Sequence, residues 1–189
     1  MLFLPRGTKL VDYKNVKVAL GCDPGRVNTA FAVYIRGKGL VHTSVTDGLD
    51  EIDQILNFRK IFLRVLKNYK PDCFCIERFH SQPGRGSKKN MEKINLLIGM
   101  CIEACLQRKI PVELVTASVH KRWIVKEHIV KKNTKLATTR RGRPAKIQTK
   151  FDTHSYKEWK DLETPHEADA ANMAKFVLEK VFSQGKEKK

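Results

Sequence analysis

The chain has 189 residues, 41% of them hydrophobic, and carries 37 Lys and Arg against 20 Asp and Glu, a formal charge of +17. That length supports one domain, or one domain with a sizeable insertion, around a real core. The longest apolar run, residues 94–106, is broken by Glu103 and too short for a bilayer. The five cysteines (Cys22, Cys73, Cys75, Cys101, Cys105) lie in or beside apolar segments with no CxxC pair, which excludes a disulfide framework and the common zinc patterns.

Residues 1–15 read as an N-terminal arm of weak periodicity, with an apolar start too short for a signal peptide, so a cytoplasmic protein is expected. Residues 16–22 alternate as a strand, and Asp23-Pro24-Gly25 turns the chain sharply into a second strand, 29–35. Gly37-Lys38-Gly39 makes a hairpin into a third strand, 40–45. Ile52, Ile55, Leu56, Phe62, Leu63 and Leu66 recur at helical spacing over 50–68, and Lys70-Pro71 ends that helix. Residues 73–76 are wholly apolar, the mark of a central strand covered on both faces.

A glycine-rich loop, 81–89, precedes a helix over 90–108 that is apolar nearly all round. One stripe of this helix packs on the sheet. The other belongs to a deeper core or to a homodimer interface, and Gly99 would admit a close neighbour. Residues 112–115 form a fifth strand, and a helix starts at Ser118. Residues 131–161 are polar and basic, an insertion or a mobile loop. The last helix, 165–182, opens on a Thr164-x-x-Glu167 capping box with Pro165 at its first position, and 183–189 is a basic tail. Residues 16–182 are therefore one domain carrying the insertion.

Two readings of Asp23 stand: it hydrogen-bonds its own turn, or it is a ligand. Glu77 ends the apolar strand 73–76, and His166 and Asp169 share one face at the start of the last helix. Carboxylates in such places point to a metal site. Charge adds a second clue. Residues 119–160 hold thirteen Lys and Arg against three acids, a surplus of ten, as a phosphate-binding surface requires.

The order of elements, together with Gly21-Cys22-Asp23-Pro24-Gly25, Lys70 to Glu77 and His166-Glu167-Ala168-Asp169-Ala170, resembles the RuvC-type Holliday junction resolvases. The resemblance covers about residues 16–182 without the insertion. It implies an α/β ribonuclease H-like fold, with a mixed five-stranded sheet flanked by helices. It also implies a metal-dependent endonuclease that resolves four-way DNA junctions by paired symmetric nicks in recombination and repair, acting as a homodimer through the helix about 90–108. On that reading Asp23, Glu77, His166 and Asp169 are catalytic metal ligands. Their hard donors suit two Mg²⁺ ions, with Mn²⁺ as substitute. Lys121 grips phosphate or joins the chemistry, with His120 or Arg122 able to replace it.

An aromatic shortly after the Glu stacks at the junction centre in that family. Phe79 is the nearest here, with core packing as its alternative. The DNA-contacting set comprises Arg26, Arg78, Phe79, Arg85, Lys88, Lys89, Lys121, Arg122, Arg140, Arg141, Arg143 and Lys146. Arg141-Gly142-Arg143-Pro144 is either a minor-groove hook or a generic phosphate grip. No membrane partner is expected, and the charge places such a protein at the nucleoid. The competing readings are a monomeric ribonuclease H-like nuclease on RNA–DNA hybrids or flaps, and a non-catalytic DNA-binding protein. An actin-like nucleotide binder shares the first Asp, but its further phosphate loops are not evident.

Overall fold

The computed structural model describes residues 2–3, 16–25, 28–46, 52–78, 88–128, 132–135, 148–151 and 156–183. In chain order the elements are β1 (Leu2–Phe3), β2 (Val18–Asp23), β3 (Thr29–Ile35), β4 (Gly39–Thr46), α1 (Ile52–Tyr69), β5 (Cys73–Glu77), α2 (Lys88–Gln107), β6 (Val112–Val115), α3 (Ala117–His128), β7 (Lys132–Lys135), β8 (Gln148–Phe151) and α4 (Pro165–Ser183). One sheet runs β1-β6-β5-β2-β3-β4. Its β2, β5 and β6 are parallel, and the other neighbours are antiparallel. This is the mixed sheet expected from the sequence. Two residues of the N-terminal arm extend it, with Leu2 opposite Glu113 and Phe3 opposite Val112.

Side-chain size separates the two faces of the sheet. Successive strand residues point to opposite sides. Leu20, Phe31, Val33, Phe74 and Ile76 fill one side against Phe58 and Phe62 of α1 and Leu97 and Cys101 of α2. The Phe31 ring centroid lies 5.0 Å from that of Phe58 and 5.5 Å from that of Phe62, which is itself 5.3 Å from Phe74. Each such ring, fully buried, contributes about 1.5–3 kcal/mol. The opposite face is lined by small residues: Ala19, Ala30, Ala32, Cys73 and Cys75. Against it lies α4, with Ala170, Ala171, Met173 and Ala174 buried.

The small lining lets α4 approach the backbone of β2 itself. A Cβ placed on Gly21 would sit 2.0 Å from the Ala170 carbonyl oxygen and 2.7 Å from the Ala174 nitrogen, so only glycine fits. The start of α4 has the expected capping box. The Glu167 N–H donates to Thr164 Oγ1 at 3.2 Å, and the Thr164 N–H donates to Glu167 Oε2 at 2.9 Å. Register between β2 and β5 is clamped by Asp72, whose carboxylate accepts the N–H groups of Lys17 and Val18 at 2.8 and 2.9 Å.

The described residues of the segment 131–161, read from sequence as an insertion or mobile loop, include a strand pair and part of the core. β7 and β8 pair antiparallel as a separate two-stranded sheet. Tyr156 and Trp159 are buried against Ala30, Ala32 and Ile124. Lys175 of α4, 3% exposed, donates to Tyr156 Oη at 2.8 Å and Glu158 Oε1 at 2.7 Å, and lies 5.8 Å from the Trp159 ring centre. Two isolated aromatics in a polar stretch leave no periodic pattern, which is why the sequence did not mark this packing. The hook candidates Arg140, Arg141, Arg143 and Lys146 lie outside the described residues. No helix among the described residues is long and apolar enough to cross a membrane.

Gly21→Ala should force α4 away from β2. Overpacking of this kind costs typically about 1–3 kcal/mol. At about 2–4 °C per kcal/mol for a chain of this size, the melting temperature should fall by several degrees. A variant melting with the wild type would show that α4 does not seat directly on the strand.

Candidate active site

The period of two that puts Gly21 under α4 also turns Asp23 to that side, and the same parity in β5 carries Cys73, Cys75 and then Glu77 there. Cys22 lies opposite Ile76 in the parallel β2–β5 pair, so the two acids are neighbours at the carboxyl ends of adjacent strands. Open α/β sheets place their ligand crevices there. The first turns of α4 bring His166 and Asp169 to the same end, and α3, which follows β6, brings His120 and Lys121.

Each carboxylate is engaged by one basic group. His166 Nδ1 lies 2.7 Å from Asp23 Oδ2, Lys121 Nζ donates to Asp169 Oδ2 at 2.6 Å, and His120 Nε2 lies 3.0 Å from Glu77 Oε2. Asp23 and Asp169 are withdrawn from solvent, with side chains 13% and 12% exposed, whereas His166 is 43% exposed. Burial pushes the Asp23 carboxyl above its usual pKa. The hydrogen bond from His166 opposes this, and the like charges of Asp169 and Glu77 add to it. That bond to Asp23 is the largest influence on His166 and raises its imidazole against the opposing effect of burial. Burial alone would lower Lys121. The attraction of Asp169, its hydrogen bond and the more distant Glu77 and Asp23 outweigh burial, and its pKa is raised.

Three carboxylates and an imidazole are hard donors of the kind that hold Mg²⁺ or Mn²⁺. Among the described residues, no three His, Cys, Asp or Glu side chains are already gathered closely enough to hold an ion. The donor chemistry fits a divalent cation, and the mutual repulsion felt at Asp23 is the charge such a cation would neutralise.

Other expected residues are placed unevenly. Arg78 continues the ladder, its N–H donating to the Val115 carbonyl at 2.6 Å, with its side chain exposed beside Glu77. Arg122 is also exposed. Lys88 and Lys89 open α2, and Arg26, Phe79 and Arg85 lie outside the described residues. His120 is fully buried and so is withdrawn from any phosphate, contrary to its reading as a substitute for Lys121. Sequence reasoning also missed Asn172, whose amide reaches the His120 ring at 2.8 Å. Its spacing of three from Asp169, itself three from His166, was the available signal.

RuvC from Thermus thermophilus, solved in complex with a Holliday junction substrate, superposes with a TM-score of 0.62 at 15% identity, covering 90% of this chain and 96% of that one. The same protein in a second structure gives 0.58 at 19% identity, over 89% and 96%. The fold is that of RuvC. It is ribonuclease H-like, as the order of strands and helices predicted. No family model and no curated protein matches the sequence. On the RuvC fold, the acids of this chain occupy the strand ends and helix start that its own packing dictates.

The paired pKa shifts make a prediction for the metal-free protein. His166 is raised above its usual value of 6.5, so its contribution to stability is full below that value and is lost as pH climbs through the higher folded value. Asp23, also raised, acts in the same sense. In EDTA the melting-temperature gap between wild type and His166→Ala should therefore shrink from about pH 6 to about pH 9. A constant gap would show that the Asp23–His166 contact does not depend on the imidazole proton.

Proposed function

We propose that this chain is a metal-dependent endonuclease that cuts four-way DNA junctions. The observation that carries the reading is the convergence of Asp23, Glu77, His166 and Asp169 at one sheet end of a chain with charge +17. A protein that only bound DNA would gain nothing from acids clustered where phosphate must come. Likeness to a RuvC structure holding a Holliday junction supports the substrate class.

Asp23, Glu77, His166 and Asp169 would hold Mg²⁺, two ions on this reading, with Mn²⁺ as a substitute. When bound, such ions activate water and stabilise the leaving oxygen of an in-line displacement at phosphorus. The chain's own residues do the rest. Asp23 and Glu77 are carried by the ends of β2 and β5, and His166 and Asp169 by the capped start of α4. Lys121, 26% exposed, places a cation beside Asp169, and the exposed Arg78 and Arg122 would meet phosphate. Arg26, Phe79, Arg85, Lys88, Lys89 and the insertion's Arg140, Arg141, Arg143 and Lys146 would extend the contact along the arms.

Paired nicks require two such sites, hence a homodimer, and α2 offers the face for it. Ile94, Leu97, Ile98, Cys101 and Cys105 of α2 are spent on the core, with Ile102 packed at its margin. The outward side keeps Leu96, 59% exposed, and Gly99, whose added Cβ would meet nothing within 4 Å. Leu96→Glu should yield monomers by sedimentation at an unchanged melting temperature. A wild-type monomer would refute the interface.

Asp23→Asn, Glu77→Gln and Asp169→Asn should each slow junction cleavage by about 100- to 1,000-fold, the several kcal/mol that metal-assisted charge stabilisation supplies. Junction affinity in the absence of metal should stay close to wild type, because basic residues carry it. Near-normal cleavage by any one of the three variants would refute the assigned site.

A further inference from the structure

His120 and Asn172 are fully buried polar side chains that the proposed chemistry does not use, and they form a chain ending on Glu77. Asn172 Nδ2 lies 3.1 Å from the His120 carbonyl oxygen and 2.8 Å from His120 Nδ1. A carbonyl oxygen only accepts, so the amide must present its NH₂ there. Turning it over would set Oδ1 against that carbonyl. The second N–H of the same group then points at Nδ1, which must be an acceptor. The ring proton is thereby assigned to Nε2, the atom 3.0 Å from Glu77 Oε2. The orientation leaves Asn172 Oδ1 buried without a hydrogen-bond partner among the described residues. A buried acceptor left in that condition is costly. The cost goes with an arrangement that fixes one tautomer.

Glu77 is the last residue of β5, where the sheet ceases to restrain its side chain. One carboxylate oxygen is held by an N–H donor whose own direction is locked from behind by α4, and no hydrogen bond among the described residues engages the other, which leaves it for a ligand. We propose that His120, held in its Nε2–H tautomer by Asn172, is a positioning residue that orients the Glu77 carboxylate for a divalent cation. The inference rests on the metal-site reading above. It also ties three elements together, because β5, α3 and α4 each contribute one member of the chain.

The test uses full-length protein and Mn²⁺ alone, with free Mn²⁺ followed by electron paramagnetic resonance. Loss of a group that orients a metal ligand typically weakens metal affinity by about 10- to 100-fold. His120→Leu and Asn172→Leu should weaken Mn²⁺ binding within that range while leaving metal-free junction affinity unchanged. His120→Gln, whose side-chain amide restores an N–H near the Nε2 position, should recover most of the affinity. Should His120→Leu fail to fold, Asn172→Leu decides alone, because it leaves the ring in place and touches no carboxylate. Unchanged Mn²⁺ affinity in Asn172→Leu, or a Gln variant no better than a folded Leu variant, overturns the proposal. Glu77→Gln separates the two levels. If it weakens Mn²⁺ binding and the His120 and Asn172 variants do not, only the positioning role falls. If wild type binds no Mn²⁺, or Glu77→Gln binds it as tightly as wild type, the metal reading falls with it.

Discussion

The seating of α4 directly on the backbone of β2 at Gly21 is the contact on which the rest of the structure depends. A helix normally rests on a sheet through side chains on both surfaces. Here one strand position has none, and the lining around it is alanine and cysteine. The helix start is thereby drawn in until His166 and Asp169 reach the strand-end acids. Gly21 precedes Asp23 by two residues, so the position that admits the helix and the position that meets it share one face. Fold and site are consequences of the same close approach.

Electrostatics at the sheet end run against the rest of the molecule. A chain of +17 gathers Asp23, Glu77 and Asp169 in one place and buries two of them. Each acid is engaged by a lysine or a histidine, yet burial, with the repulsion of Asp169 and Glu77, still holds the Asp23 carboxyl above its usual range. The groups so arranged are not a rigid salt-bridge network. His166 is near solvent and Lys121 is partly exposed, whereas His120 is enclosed.

Much of this was legible in the sequence, and what was missed has physical reasons. Asp23 and Glu77 announced themselves as acids ending apolar strands, and Thr164 with Glu167 marked the start of α4 to the residue. The strands other than β1, β7 and β8 were read from apolar runs, alternating in 16–22 and continuous in 73–76, and from the turn residues between them. Leu2–Phe3 was not expected, because two residues carry no period. Tyr156 and Trp159 were hidden in a basic segment whose burial depends on Lys175 and α4, far along the chain. Gly21 was quoted as part of a motif, yet its reason lies in the helix it meets. His120 beside Lys121 looked like a second phosphate cation. Only the fold shows it turned inward, towards Asn172 and Glu77.

On the proposed reading, the acid cluster of Asp23, Glu77 and Asp169 serves cleavage of branched DNA. That reading is tested most directly by offering purified full-length protein a labelled four-way junction, the matched linear duplex and an RNA–DNA hybrid of the same sequence, each with and without Mg²⁺. Mg²⁺-dependent nicks should appear symmetrically on two strands of the junction, with the duplex and hybrid left intact. Cleavage of the hybrid with the junction untouched, or junction binding with no cleavage in Mg²⁺ or Mn²⁺, would contradict that reading.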